Sequence, residues 1–248
     1  MRSSDDSDAE PRGRDLRVVT ESGRRGGGLR RIATLITLAP LLVIVLMLTL
    51  ALVYSVATPP STLMLGRWLA LETARRDSVP LDAIAPALVQ AVVASEDQRF
   101  CLHNGVDWGA LRDVVDDEEG PSRGVSTITM QTVKNVFLWP GRSYIRKGLE
   151  IPLAVMADAV WGKRRTMEIY LNVAEWGDGI FGVEAAARHW FRKSARDLTR
   201  NEAALLAAVL PNPILRSAGK PTPGVRRFAA RIQGRMGQVD GLMGCLKR

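Results

Sequence analysis

Ser95-Glu96-Asp97-Gln98-Arg99-Phe100-Cys101-Leu102-His103-Asn104-Gly105-Val106-Asp107, followed by Gly124-Val125-Ser126-Thr127-Ile128-Thr129-Met130-Gln131-Thr132-Val133-Lys134-Asn135, is the part of the sequence on which the reading turns. The apolar residues Ile84, Leu88, Val89, Val92 and Val93 lead into it at helical spacing, so Glu96 and Asp97 close a helix whose face is buried. A carboxylate in that position is suited to act as a base or acid, because burial disfavours its charged form. The plainer alternative is that the pair decorates a helix end. Carboxylates, a histidine and a basic, hydroxyl-rich helix start together form a residue mix suited to glycosyl or phosphoryl chemistry.

Working outward, helical periodicity recurs over 82–96, 126–138, 152–161, 164–173, 183–191 and 199–209, and no run of alternating strand pattern stands out. The fold class is therefore expected to be mainly α. Thr199-Arg200-Asn201-Glu202 has the form of a capping box before the apolar run Ala203 to Leu210, and Pro211-Asn212-Pro213 stops that helix. Residues 116–123 read as a polar loop. Pro152 argues against a helical face shared by Arg146 and Glu150.

Toward the N-terminus, Ile32 to Ala57 is a 26-residue run without a charged side chain, where a bilayer needs about 20 residues. It predicts a transmembrane helix over 32–57, kinked near Pro40. A cleaved signal peptide is the alternative, but its apolar core is usually about 7–15 residues long. Arg24, Arg25, Arg30 and Arg31 crowd the near flank, whereas no Lys or Arg follows the run until Arg67, which places the N-terminus in the cytoplasm and the rest outside. Residues 1–31, polar and glycine-containing, read as a disordered cytoplasmic tail. Residues 58–80 read as a membrane-proximal linker whose Leu63, Met64, Leu65, Trp68, Leu69 and Leu71 form either an amphipathic surface helix or a plain buried one. Residues 81–248 are the candidate catalytic domain.

From Pro59 onward the chain carries 26 Lys and Arg against 20 Asp and Glu. Nucleic acid is the usual partner of such a balance, but the topology points instead to anionic headgroups and a phosphorylated lipid. Cys101 and Cys245 have no metal-site or CxxC spacing, and their distance in sequence gives no reason to expect a pair.

Glu96, Asp97, Phe100, His103, Gly105 and Asp107 match E-D-x-x-F-x-x-H-x-G-x-D. Gly124, Ser126, Thr127, Ile128, Thr129, Gln131, Lys134 and Asn135 match a second ordered motif, Arg146, Lys147 and Glu150 a third, and Lys163, Glu168, Tyr170, Leu171 and Asn172 a fourth; Gly177 to Ala186 supplies a fifth stretch. In this order the motifs resemble those of the peptidoglycan glycosyltransferases of family 51. The chain length resembles the monofunctional members, which lack a transpeptidase domain. The resemblance implies a lysozyme-like, two-lobed domain behind one N-terminal transmembrane helix, in the inner membrane with its catalytic part periplasmic.

It also implies a reaction: inverting transfer of a growing glycan from undecaprenyl pyrophosphate to the GlcNAc 4-hydroxyl of lipid II. The expected partners are then lipid II, the lipid-linked strand, the membrane, and proteins of wall synthesis or division. Glu96 is the expected base, supported and oriented by Asp97, Phe100 and His103; the other reading of His103 is an ordinary hydrogen-bonded histidine. Glu150 is the second expected catalytic residue. Ser126, Thr127, Gln131, Lys134, Asn135, Arg146 and Lys147 are the expected pyrophosphate contacts, with Thr127, Gln131 and Lys134 on one helix face. Taken singly, Lys134 reads as a solvated lysine. Glu168, Tyr170 and Asn172 are assigned to packing and capping.

Met130 stands where the family has a first glutamine. No metal-ligand cluster or cofactor is evident, and a hydrated Mg²⁺ beside the pyrophosphate is the one cofactor left open. Two other readings compete: a wall-cleaving lytic transglycosylase, which has no need of the cations at Lys134, Arg146 and Lys147, and a non-catalytic membrane-anchored scaffold, which needs neither Glu96 nor Glu150.

Overall fold

The computed structural model describes residues 25–115, 126–141 and 143–247, except the side chains of residues 25–33 and 35. Residues 1–24 of the tail expected at 1–31, the flanking arginine side chains, the loop expected at 116–123 and Gly124 of the second motif lie outside the described residues, while residues 25–31 of that expected tail are helical. Residues up to Leu46 form one compact unit and those from Met47 a second.

Helix α1 spans Arg25–Tyr54, and its stretch Ile36–Tyr54 is long and apolar enough to cross a bilayer. It ends three residues before the expected limit at Ala57. Its final turn belongs to the second unit: Trp161 Nε1 donates to the carbonyl of Ala51 at 2.8 Å, and the Arg165 guanidinium donates to those of Tyr54 and Ala57 at 3.0 and 2.6 Å. The Ala51 carbonyl also accepts the Ser55 amide at 3.1 Å, so Trp161 adds a second bond there, while Arg165 serves the Tyr54 carbonyl at the helix end. Arg76 donates to the carbonyls of Thr58 and Pro59 beyond the helix.

The second unit continues with α2 (Thr62–Leu69), β1 (Arg75–Arg76), α3 (Pro86–Glu96), α4 (Trp108–Val115), α5 (Ile128–Phe137) and α6 (Tyr144–Val173). Then come β2 (Glu175–Gly177), β3 (Ile180–Phe181), α7 (Val183–Phe191), α8 (Arg200–Val209) and α9 (Pro223–Val239). The fold is mainly helical, as expected, and its apolar side chains gather into two clusters that fit a two-lobed body. One joins Leu88 and Val92 of α3 to Leu206 of α8 and to Ile232 and Met236 of α9. The other joins Met64, Met130, Val133, Ala154, Trp161 and Phe181. Helix α6 serves both, sending Met167, Tyr170 and Leu171 into the first and Ile169 and Val173 into the second. The expected capping box is present: Thr199 and Glu202 close the start of α8 reciprocally.

Several features depart from the periodicity reading. A small sheet orders its strands β1-β3-β2, with β1 parallel and β2 antiparallel to β3; its strands are two or three residues long, too short for alternation to show. Helices α4 and α9 are additional, and α9 buries Val225, Ala229, Ile232, Met236 and Val239 along one stripe. Pro152 lies inside α6 rather than ending it. Its ring removes a hydrogen bond only to the residue four before it, so the turn from Arg146 to Glu150 keeps its helical ladder. The break in α6 falls instead at Gly162, whose φ of 65° and ψ of 176° leave the helical region, a conformation that glycine adopts without the steric cost of a Cβ.

The segment 58–80 contains an exposed apolar helix rather than a buried one. Although Met64 is buried, Leu69 is 87 % exposed and Leu71 94 %. Cys101 and Cys245 are joined in a disulfide with Cα atoms 5.6 Å apart. The packing of α9 against α3 carries the C-terminal turn Gly244–Leu246 back to the Phe100–Leu102 turn, a juxtaposition that spacing alone does not reveal.

Candidate active site

Glu96 is the last residue of α3, and the chain leaves the helix immediately after it. Its carboxylate is half-buried and held from two sides: Ser95 Oγ donates to Oε1 at 2.9 Å, and the Gln131 amide donates to Oε2 at 3.0 Å. The carbonyl of Gln131 accepts the Tyr170 hydroxyl at 3.1 Å. Burial above all, with Glu96 and Asp97 adding to it, pushes the Tyr170 phenol well above its ordinary value. Tyr170 therefore stays protonated and donates, which turns the NH₂ of Gln131 toward Glu96.

Asp97 faces away into the body. Its carboxylate contacts His103 Nε2 at 3.0 and 3.2 Å, and Oδ2 accepts the Ile128 amide at 3.0 Å at the start of α5. Negative charge is favoured at that helix terminus. Phe100 is buried and meets the His103 ring edge-on at 6.3 Å between centroids. These three residues contact one another and the start of α5, and among the described residues none of them hydrogen-bonds the Glu96 carboxylate. Gly105 lets the loop pass close to α6: its φ is +84°, and a Cβ there would lie 2.4 Å from the carbonyl oxygen of Ala154.

The cationic half of the site comes from α5 and the first turns of α6. Glu150 is 2 % exposed. Arg146 forms an ion pair with its Oε1, and Lys147 Nζ donates to Oε2 at 2.9 Å and to Ser126 Oγ at 2.6 Å. Arg146 and Glu150 therefore do share a face of α6, contrary to the expectation drawn from Pro152. The Lys134 ammonium makes no hydrogen bond or ion pair among the described residues, while its backbone carbonyl accepts the Leu138 amide. Burial, the largest influence, pushes its ammonium below the ordinary lysine value; Glu150 and Glu96 pull it back up, while Arg146 and Lys147 push it down. Lys134 thus stands in the electrostatic field of both glutamates and both neighbouring cations.

Other expected pyrophosphate contacts are placed differently. Thr127 precedes α5 as its N-cap: the hydroxyl accepts from Met130 N–H and donates to the Gly105 carbonyl at 2.6 Å. It is buried and engaged, so Thr127, Gln131 and Lys134 do not present three free groups on one face. Gln131 is likewise committed to Glu96 and Tyr170. Asn135 offers its backbone carbonyl to Thr62 of α2. Glu168 and Asn172 cap, as expected, by receiving the amides of Leu81 and Val79 at 2.9 Å each. Sequence reasoning missed Ser95 and the link from Tyr170 through Gln131 to Glu96; the helical offset that brings α5 beside α6 is not encoded in either segment alone.

Chemically, the site offers a carboxylate fixed by neutral hydrogen bonds beside three cations gathered near a buried carboxylate. A family model described as Transglycosylase matches residues 64–237. The chain is 58 % identical over 190 residues to a protein of Rhizobium meliloti (strain 1021), covering 76 % of this chain and 80 % of that one. It is 55 % identical over 202 residues to a protein of Brucella suis biovar 1 (strain 1330), covering 80 % and 90 %, and 54 % identical over 206 residues to one of Rhodopseudomonas palustris (strain HaA2), covering 82 % and 91 %. Each of the three relatives is named biosynthetic peptidoglycan transglycosylase.

Proposed function

The chain belongs to the transglycosylase family, and from that premise we infer how its residues divide the work of a peptidoglycan glycosyltransferase. The enzyme polymerises lipid II into glycan strands. Glu96 accepts the proton of the GlcNAc 4-hydroxyl as that oxygen bonds to the anomeric carbon of the growing strand. The bond to the pyrophosphate breaks with its electron pair, and the anomeric centre inverts. Ser95 and Gln131 hold the carboxylate in place through hydrogen bonds. Lys134, Arg146 and Lys147 meet the charge on the departing pyrophosphate, as fixed cations do in a water-poor site. Glu150 orients Arg146 and Lys147 from behind.

The observation that supports this assignment is that α5 carries both Gln131, which bonds the Glu96 carboxylate at 3.0 Å, and Lys134, which feels the charges of Glu96 and Glu150. A wall-cleaving enzyme has no use for three cations there, and a scaffold has no use for a carboxylate aligned by a tyrosine-backed amide. Among the described residues no three His, Cys, Asp or Glu side chains converge as a metal cage.

The anchor helix and the exposed Leu65, Trp68, Leu69 and Leu71 support a domain seated against the inner membrane on its outer side. The Cys101–Cys245 disulfide supports the same side, since such bonds persist in oxidising compartments. The test is incubation of labelled lipid II with the native protein and with Glu96→Gln in detergent, products being separated by size. The native protein yields a ladder of strands; the variant, still folded, loses about 10²–10⁴-fold in rate, the usual contribution of a positioned base. Full activity in Glu96→Gln removes it from the role of base, and muropeptides released from intact wall in place of polymer point to cleavage.

A further inference from the structure

Between the end of α3 and the start of α4 the chain that carries the first motif contains only one short turn, Phe100–Leu102, so contacts from outside must fix its path. Four do so. The disulfide holds Cys101, Thr127 holds the Gly105 carbonyl, and Asp97 is bound by His103 and the Ile128 amide. The fourth is Lys163, whose ammonium donates to the carbonyl of His103 at 2.5 Å. The same ammonium pairs with Asp158 at 2.6 Å and lies 4.8 Å from the centre of the Phe100 ring. Lys163 and Asp158 are both nearly buried, with side-chain exposures of 12 % and 11 %.

Lys163 follows Gly162 directly, and Asp158 lies before it, so the ion pair bridges the break in α6. The lysine therefore ties three things at one atom: the two halves of α6 and the residue whose ring holds Asp97. Because Asp97 is bonded to Glu96 in sequence, rotation of the His103 peptide is passed on to the base through a single residue. We propose that Lys163 is a positioning residue for Glu96, acting through His103 and Asp97. The inference rests on Glu96 being the base. A misplacement of about 1 Å in such a group can cost about 10²-fold in rate.

The bland role, neutralising Asp158, is separable. The full-length protein in detergent is compared as native, Lys163→Met, Lys163→Arg and the double variant Lys163→Met/Asp158→Asn, by melting temperature and by initial rates against labelled lipid II. The double variant removes both charges together and is expected to melt close to the native protein. Its kcat is expected to fall about ten- to a hundredfold with KM within about twofold, the split expected when alignment rather than substrate binding is lost. Lys163→Arg keeps a cationic donor and is expected to recover kcat to within about fivefold. A native kcat in the double variant overturns the proposal, as does an arginine variant as slow as the methionine one, or a double variant that fails to fold. Absence of polymer from the native protein would instead count against the reading of the activity.

Discussion

The Gln131 amide donates to Glu96 Oε2 at 3.0 Å, so α5, the helix that carries Lys134, also fixes the carboxylate proposed as the base. The position of α5 thus sets the spacing of Glu96 and Lys134, and Tyr170 fixes the orientation of the amide that makes the link.

Tyr170→Phe is expected to lower stability by about 1–3 kcal/mol, the cost of leaving a buried acceptor on Gln131 without its donor. It also frees the amide to rotate. Polymerisation is expected to slow by less than the loss in Glu96→Gln, because the carboxylate remains. Chemical denaturation and lipid II turnover measured on one preparation check both expectations.

Lys134 gives a pH dependence whose sign follows from its environment. Burial depresses its proton affinity, so the cation is lost at a lower pH than for an ordinary lysine, and activity should decline earlier on the alkaline side. Lys134→Arg, whose guanidinium stays charged throughout, should move that alkaline limb to higher pH. Lys134→Ala should weaken donor binding across the whole range. Rate profiles from neutral pH upward distinguish the three proteins; coincident alkaline limbs for the native and arginine forms would return Lys134 to the role of a surface cation.

Opening the Cys101–Cys245 bridge, which spans 144 residues, should cost about 2–5 kcal/mol of stability, the range typical of long closed loops. Reduction with dithiothreitol and the double change Cys101→Ala/Cys245→Ala should lower the denaturation midpoint to similar extents. A midpoint unchanged by both would show that the C-terminal turn stays docked through packing alone.

What the sequence disclosed and what it concealed divide along physical lines. Local signals were legible: the helix end at Glu96, the Thr199–Glu202 capping box, the apolar span, and the ordered motifs that carry the family resemblance. Helix α9 had a readable signal in the spacing of Val225, Ala229, Ile232, Met236 and Val239, with Thr222 as cap and Pro223 at its first position, but its glycines and four arginines obscured it. Thr127 was misassigned because a threonine at a helix start serves equally as a ligand contact or a cap, and only the Gly105 carbonyl decides between them. Pro152 misled because a proline removes only the bond to the carbonyl four residues before it, at Gly148, which leaves the Glu150-to-Arg146 bond of the helix in place. Contacts that join distant segments, such as Cys101 with Cys245 or Gln131 with Glu96, leave no local trace.

The carbonyls of Ala51 and Tyr54 are bound by Trp161 and Arg165, and Phe137 lies between Trp161, on which it stacks, and Tyr54, whose ring is tilted to it. The folded body of the second unit therefore takes in the last turn of α1, and a truncation at residue 58 would cut through folded structure. Aromatic rings settle at the headgroup level of a bilayer, which is where a lipid-linked pyrophosphate also lies. Encounter with a lipid-linked substrate held in the membrane is then a search in two dimensions, by lateral drift.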